Sequence, residues 1–272
     1  MTERAKPYVG VSGVVNPEQQ DQLKELFERS GLARYDRQLL LGIKAVHKTQ
    51  WLDIENKYGR EWYPVGPDEF ARAVEPGGTF NIAQLCLDQD QAATPEYRES
   101  FVKRVASRGN PGLDGMQFDM LDWHTDDALL DFLETPKRFG KVILQCHRAA
   151  MESLGPRGIA QRLGEHARSL DYVLFDASHG KGVPMRSNSL LHFVDAAYES
   201  PELAHVGVGI AGGLDADVIK KELPVVVATF PDICVDTEGK VHPTAPDGSR
   251  PISMAVTENY FDGLARALSE VY

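Results

Sequence analysis

A single (β/α)8 TIM barrel of the α/β class, with a long second βα loop, is the fold this sequence predicts. Three observations point to it. Short β-rich runs alternate with helical stretches, the helices carry cap signals at their starts, and no linker divides the chain. The 272 residues, 42% of them hydrophobic, suffice for one sizeable core, and 1–272 reads as one domain. A doubly wound sheet is the alternative. It usually needs fewer strands, and no GxGxxG follows the first run.

The elements follow in order. Tyr8–Val15 (YVGVSGVV) is the first strand-like run. Asn16 then caps, Pro17 takes the first helical position, and Gly31 terminates the helix. The second run, Leu39–Val46, carries Lys44 and opens a long connection, His47 to about Gly78, that holds Trp51, Trp62 and Tyr63. The third, Asn81–Leu87, precedes Thr94-Pro95 and EYRESFVKRVASRG. The fourth, Met116–Leu121, has Gln117 and Asp119 two apart and so on one face; Thr125 precedes DDALLDFLE. The fifth, Lys141–His147, pairs Gln145 with His147 on one face and turns Cys146 to the other. The sixth, Tyr172–Ala177, ends in Asp176 ahead of Ser178-His179-Gly180-Lys181-Gly182. The seventh, His205–Ala211, ends in Gly212-Gly213, with Asp215 as the next cap; PVVVATFP (224–231) fits helix, strand or neither. The eighth, Asp232–Asp236, runs into Thr237-Glu238-Gly239-Lys240, and the last segment has apolar residues at helical spacing.

Composition narrows the function. With 29 basic and 40 acidic residues the net charge is −11, so no basic footprint for nucleic acid is visible. No apolar run approaches the roughly 20 residues of a membrane helix, and the first residues form no signal segment. Cys86, Cys146 and Cys234 are far apart in apolar runs and read as free buried thiols, which predicts a cytoplasmic setting. His47, His124, His147 and His179 form no HxH or HExxH pattern, so neither a metal nor another cofactor is expected. A homo-oligomer is compatible with all of this.

In such a barrel, chemistry belongs at the C-terminal strand ends. Polar residues recur there: Ser12, Lys44, Asp119, Gln145, His147, Asp176 and Asp236. Each has a structural reading beside the functional one. Asp119 can pair with Lys44, His147 can be a satisfied core histidine, and Asp236 can bond its own turn. Gly212 and Gly213, at a helix start after the seventh strand, are placed to turn backbone N–H groups towards an anion.

The motifs VGVSGVVNPEQ (9–19), YVLFDASHGKG (172–182), VGIAGGLDADVI (208–219) and ICVDTEGKV (233–241) resemble, in order and spacing, those of the phosphoribosylanthranilate isomerase family of ribulose-phosphate-binding barrels. The resemblance implies an Amadori rearrangement, as in tryptophan biosynthesis, with a phosphorylated small-molecule substrate. It makes Asp176 the general acid and puts Ser12 where the family has a cysteine base. A serine hydroxyl is too weak a base at neutral pH unless a neighbour activates it, so Asp119 or His147 is expected to supply the base. The phosphate is expected at Gly180, Lys181, Gly182, Gly212, Gly213, Asp236, Thr237 and Gly239, and the remaining substrate contacts at Lys44 and Gln145. Glu238 departs from the family's phosphate loop, since a carboxylate repels a phosphate dianion. The expectation is therefore a divergent isomerase acting on a phosphorylated sugar or N-ribosyl amine. A non-catalytic binder of a phosphorylated metabolite is one alternative. An aldolase or lyase with Lys44 as Schiff-base lysine is the other.

Overall fold

A computed structural model describes residues 4–87, 94–119, 121, 123–124, 127–176 and 187–272, with side chains from 190 onward in the last segment. Eight parallel strands close on themselves in chain order: β1 Tyr8–Ser12, β2 Gln38–Val46, β3 Phe80–Cys86, β4 Gly115–Asp119, β5 Lys141–His147, β6 Tyr172–Asp176, β7 Gly207–Ala211 and β8 Cys234–Thr237. β8 pairs back on β1, Gly10 opposite Asp236. The strands read as near-continuous apolar runs because both faces are covered. Outward residues such as Val9, Val11, Leu41 and Ile43 pack under the helices. Inward residues Tyr8, Leu40, Phe80, Ile82, Ile143, Tyr172, Leu174 and Cys234 fill the lower barrel, where Tyr8 meets Tyr172 edge-on at 5.3 Å.

The predicted caps form at three helices. Asn16 Oδ1 accepts from Gln19 N–H at 2.9 Å to start α1 (Pro17–Ser30), and Gly31, at φ 76°, ends it. α2 (His47–Gln50) and α3 (Gly66–Ala73) lie within the second connection, so that segment is partly helical rather than a plain loop. Thr94 caps α4 (Pro95–Gly109). Thr125 lies outside the described residues; the segment after it holds two short helices, α5 (Asp127–Asp131) and α6 (Glu134–Lys137), instead of one. α7 (Arg148–Glu165) kinks at Gly155, whose φ is 65°, just before Pro156. α8 (Ser187–Glu199) follows β6. Asp215 caps α9 (Ala216–Thr229), accepting from Val218 N–H at 3.0 Å. That helix absorbs most of PVVVATFP, burying Val226 and Val227 and leaving Val225 outside. α10 (Met254–Ser269) closes the ring against α1, Phe261 edge-on to Phe27 at 5.9 Å.

The first strand is shorter than its apolar run. Gly13 turns to φ 95°, and the N–H groups of Gly13 and Val14 both donate to the Gly42 carbonyl. The chain start seals the opposite end of the barrel. Arg4 donates to the carbonyls of Leu203 and Val206, lies 4.2 Å over the Tyr198 ring and pairs with Asp232 at 3.5 Å. Among the described residues no helix is long and apolar enough to cross a membrane.

Candidate active site

Ser12, Asp119, His147 and Asp176 each end their strand, so all four stand at the same mouth of the barrel. Strand parity decides which of their neighbours face the interior. One polar layer is built from Ser12 on β1, Gln84 on β3, Gln117 on β4, Gln145 on β5, Asp176 on β6 and Asp236 on β8, every one of them largely buried. β2 and β7 contribute only Gly42 and Ala211 at that height. The small residues make the layer possible. A Cβ on Gly10 would stand 2.7 Å from Asp236 Oδ1, and one on Gly42 would collide with Ser12 Oγ.

Four of these side chains form a donor-to-acceptor series running round the wall to Asp176. Gln84 Nε2 donates to Ser12 Oγ at 2.5 Å and to Gln117 Oε1 at 3.4 Å. Gln117 Nε2 donates to Gln145 Oε1 at 3.0 Å, and Gln145 Nε2 to Asp176 Oδ2 at 3.0 Å. The carboxyl at one end orients the amides: Gln145 turns its NH2 to Asp176 and its carbonyl to Gln117, Gln117 turns its carbonyl to Gln84, and the Gln84 NH2 also serves Ser12.

Asp236 behaves differently. Neither of its carboxyl oxygens has a hydrogen-bond partner although the residue is only 3% exposed. Burial pushes its pKa up to about 7, with the charges of Glu238 and Asp176 adding to the rise; Lys44 and the nearby Ser12 hydroxyl pull the other way. Ser12 nevertheless forms no hydrogen bond of ordinary geometry with it. Asp236 and Asp176 flank Ala211 of β7 in register, so their backbones stand about 10 Å apart, two strand spacings. Together with Gln84, Trp62 and the rim they line one cavity of about 110 Å³. That is below the roughly 300–1,000 Å³ of a site enclosing a drug-sized ligand, so it has room for a small molecule or one end of a longer one.

Above this layer Lys44, only 3% exposed, pairs with Glu238 at 2.7 Å. Burial, the largest single influence, would lower its pKa, but Glu238, Cys86, Tyr63 and Asp119 together outweigh it and keep the ammonium protonated. A lysine so held is a poor Schiff-base nucleophile, and Glu238 is occupied as its counter-ion. Asp119 is raised by burial and accepts from the Cys86 thiol at 3.6 Å; burial pushes that thiol up to about 12. His147 Nε2 meets the Leu121 carbonyl at 3.0 Å, and its Nδ1 accepts from Ala150 N–H to start α7. Asp119 and His147, the expected bases, therefore stand at the mouth without lining the cavity.

The rim is formed by Gly212 and Gly213, at φ 100° and 65°, with Gly239 and Lys240. Lys240 pairs with Asp215 at 3.1 Å. Thr237, expected at the phosphate, instead donates its hydroxyl to the Leu214 carbonyl at 3.0 Å and ties the two loops together. Asp236 likewise belongs to the cavity floor, where its ionised carboxyl would repel a phosphate. Gly180, Lys181 and Gly182 lie outside the described residues. From the second connection Trp62 reaches across the mouth, stacked on His242 at 4.5 Å and beneath the Arg250 guanidinium at 4.6 Å. His242 sits between the carbonyls of Ser12 and Arg250, 2.8 Å from each; these favour its charged form, but burial prevails and lowers its pKa. Gln84, Trp62, His242 and Arg250 are the site residues that sequence reasoning missed. Only Gln84 left a signal, an amide inside an apolar strand at the parity of its neighbours. Among the described residues no group of three or more His, Cys, Asp or Glu is placed to hold a metal ion.

No family model matches the sequence, and no curated protein matches it. Solved structures do. An octameric ribulose-1,5-bisphosphate carboxylase/oxygenase from Pyrococcus horikoshii OT3, in complex with sulfate, is 18% identical at a TM-score of 0.54. The match covers 99% of this chain, which spans only 59% of that one. Tryptophan synthase from Mycobacterium tuberculosis is 12% identical at 0.52, covering 97% of this chain and 93% of that one. A GH113 β-1,4-mannanase is 8% identical at 0.52, covering 97% and 99%. Proteins with such different names share little beyond architecture at these identities. What the likeness establishes is the fold: this chain is a (β/α)8 barrel.

Proposed function

We propose that the protein is an isomerase-like enzyme that moves a proton within a phosphorylated sugar or N-ribosyl amine. The observation that carries this reading is the pair of buried carboxyls, Asp176 and Asp236, facing one cavity from either side of β7. A base poised near neutral pH is what proton abstraction from carbon calls for, and Asp236 has that character. Asp176, opposite, is suited to protonate the ring oxygen and open the sugar, the role the isomerase resemblance gives it. In the opened iminium the C2–H bond breaks and the proton passes to Asp236. The electron pair forms the C1–C2 double bond, and the C1–N π pair returns to nitrogen. Transfer of a proton back to C1 and loss of the 2-hydroxyl proton give the amino-ketose. The positive-φ turn at Gly212-Gly213, at the start of α9, suits the phosphate end.

Incubating the protein with N-(5-phosphoribosyl)anthranilate in D2O tests the reading. We expect turnover with deuterium entering at C1, and a fall in kcat of about 10²–10⁴-fold in Asp176→Asn and in Asp236→Asn. Ser12→Ala should cost far less. A loss under tenfold in Asp236→Asn removes it as the base.

A further inference from the structure

The cavity floor has a surplus of one kind of hydrogen-bonding atom. On residues that line the same cavity, three buried unpartnered atoms are acceptors, Gln84 Oε1, Asp236 Oδ1 and Asp236 Oδ2, against one donor, the indole Nε1 of Trp62. The amide donors beside them are engaged within the wall: Gln84 serves Ser12 and Gln117, Gln117 serves Gln145, and Gln145 serves Asp176. Among the described residues the nearby cations are engaged too, Lys44 by Glu238, Lys240 by Asp215, and Arg250 by the carbonyls of His242 and Gly239 and the Trp62 ring. Buried acceptors are rarely left without donors, which a ligand, an ion or ordered water brings.

We infer that the floor binds the hydrogen-donating end of an amino-polyol, an ammonium with adjacent hydroxyls, and rejects a carboxylate. This rests on the proposed reading only in taking this cavity as the active site. It adds which end of the substrate lies at Asp236 and what charge that end carries. Among the described residues the titratable groups around Asp236 are Tyr8 on β1, Lys44 on β2, Asp176 on β6, Cys234 on β8, Glu238 just beyond it and Tyr260 on α10. The single cation among them already has a counter-ion, so a ligand ammonium meets a net negative floor.

Calorimetric titration of the full chain at pH 7 with 1-amino-1-deoxyribitol, ribitol and ribonate tests this with one carbon skeleton in three charge states. The amine should bind at least tenfold tighter than ribonate, with ribitol between. Asp236, pushed up to about 7, carries a proton in about half the molecules at that pH. Pairing with the ammonium favours the carboxylate, so amine binding should release up to about half a proton, read from heats in buffers of different ionisation enthalpy. Asp236→Asn should bring the amine-to-ribonate ratio close to one. Ribonate binding as tightly as the amine, no binding of any probe, or amine binding without proton release overturns the inference; the last needs no variant to fold. Ribonate preference beside intact turnover sinks this inference alone. The expected ranking without turnover of N-(5-phosphoribosyl)anthranilate sinks the proposed reaction alone.

Discussion

Asp236 shows how one buried carboxyl couples function to stability. Its oxygens have no donor, and the missing Cβ of Gly10 leaves the space it occupies. Its pKa is near 7 in the folded protein against about 3.9 in an unfolded chain, so the folded state binds a proton that the unfolded state releases between those values. The stability linked to that proton is present below about pH 4 and is lost as pH rises through about 7, with an upper bound of about 4 kcal/mol. Asp236→Asn removes the penalty of the buried charge. We expect its Tm to exceed that of the wild type by several degrees at pH 8, and the gap to close towards pH 5, followed by circular dichroism. A variant less stable at pH 8 than at pH 5, relative to wild type, contradicts the burial of an unpaired charge. The same site needs Asp236 ionised to act as a base, so the protein tolerates the cost where the chemistry lies.

At the scale of elements, the caps were legible and the amide series only in part. Asn16, Thr94 and Asp215 announce their helices because a cap is a bond across three residues, written within one short segment. Gln117 and Gln145 could be read as polar residues on the inward face of their strands. Gln84 stands in the chain as a solitary amide in a core strand, since its partners Ser12 and Gln117 lie 72 and 33 residues away. The series predicts a specific loss. Gln117→Leu leaves the buried Gln145 Oε1 without its donor, which should destabilise the fold by about 1–3 kcal/mol in denaturant unfolding. It also frees Gln145 to turn away from Asp176, so kcat should fall while KM stays near its wild-type value. An unchanged kcat would show that the series is structural only.

Across the whole molecule the two ends of the barrel carry different duties. Arg4, with Ala5 bonded to the His205 carbonyl, fastens the chain start across the end away from the site, and the polar layer occupies the other. Arg4→Ala should lower stability by about 1–3 kcal/mol through lost packing and unpaired carbonyls, with kcat and KM unchanged. An equal fall in activity and stability would deny that the ends are separable.

Strand count, alternation with helices and the end of the barrel at which polar residues gather are all legible in the chain. Those properties depend on periodicity and on hydrogen bonds spanning a few residues. Tertiary structure alone decided that Asp236 is the unpartnered, raised carboxyl and that Lys44 is bound to Glu238. It alone brought Trp62 from the second connection onto His242. It also decided that Asp119 and His147 stand outside the cavity their strand positions suggested. The reason is physical: the proton affinity of a buried group is set by desolvation and by charges within a few ångströms. In a closed barrel those neighbours come from strands that are distant in the chain.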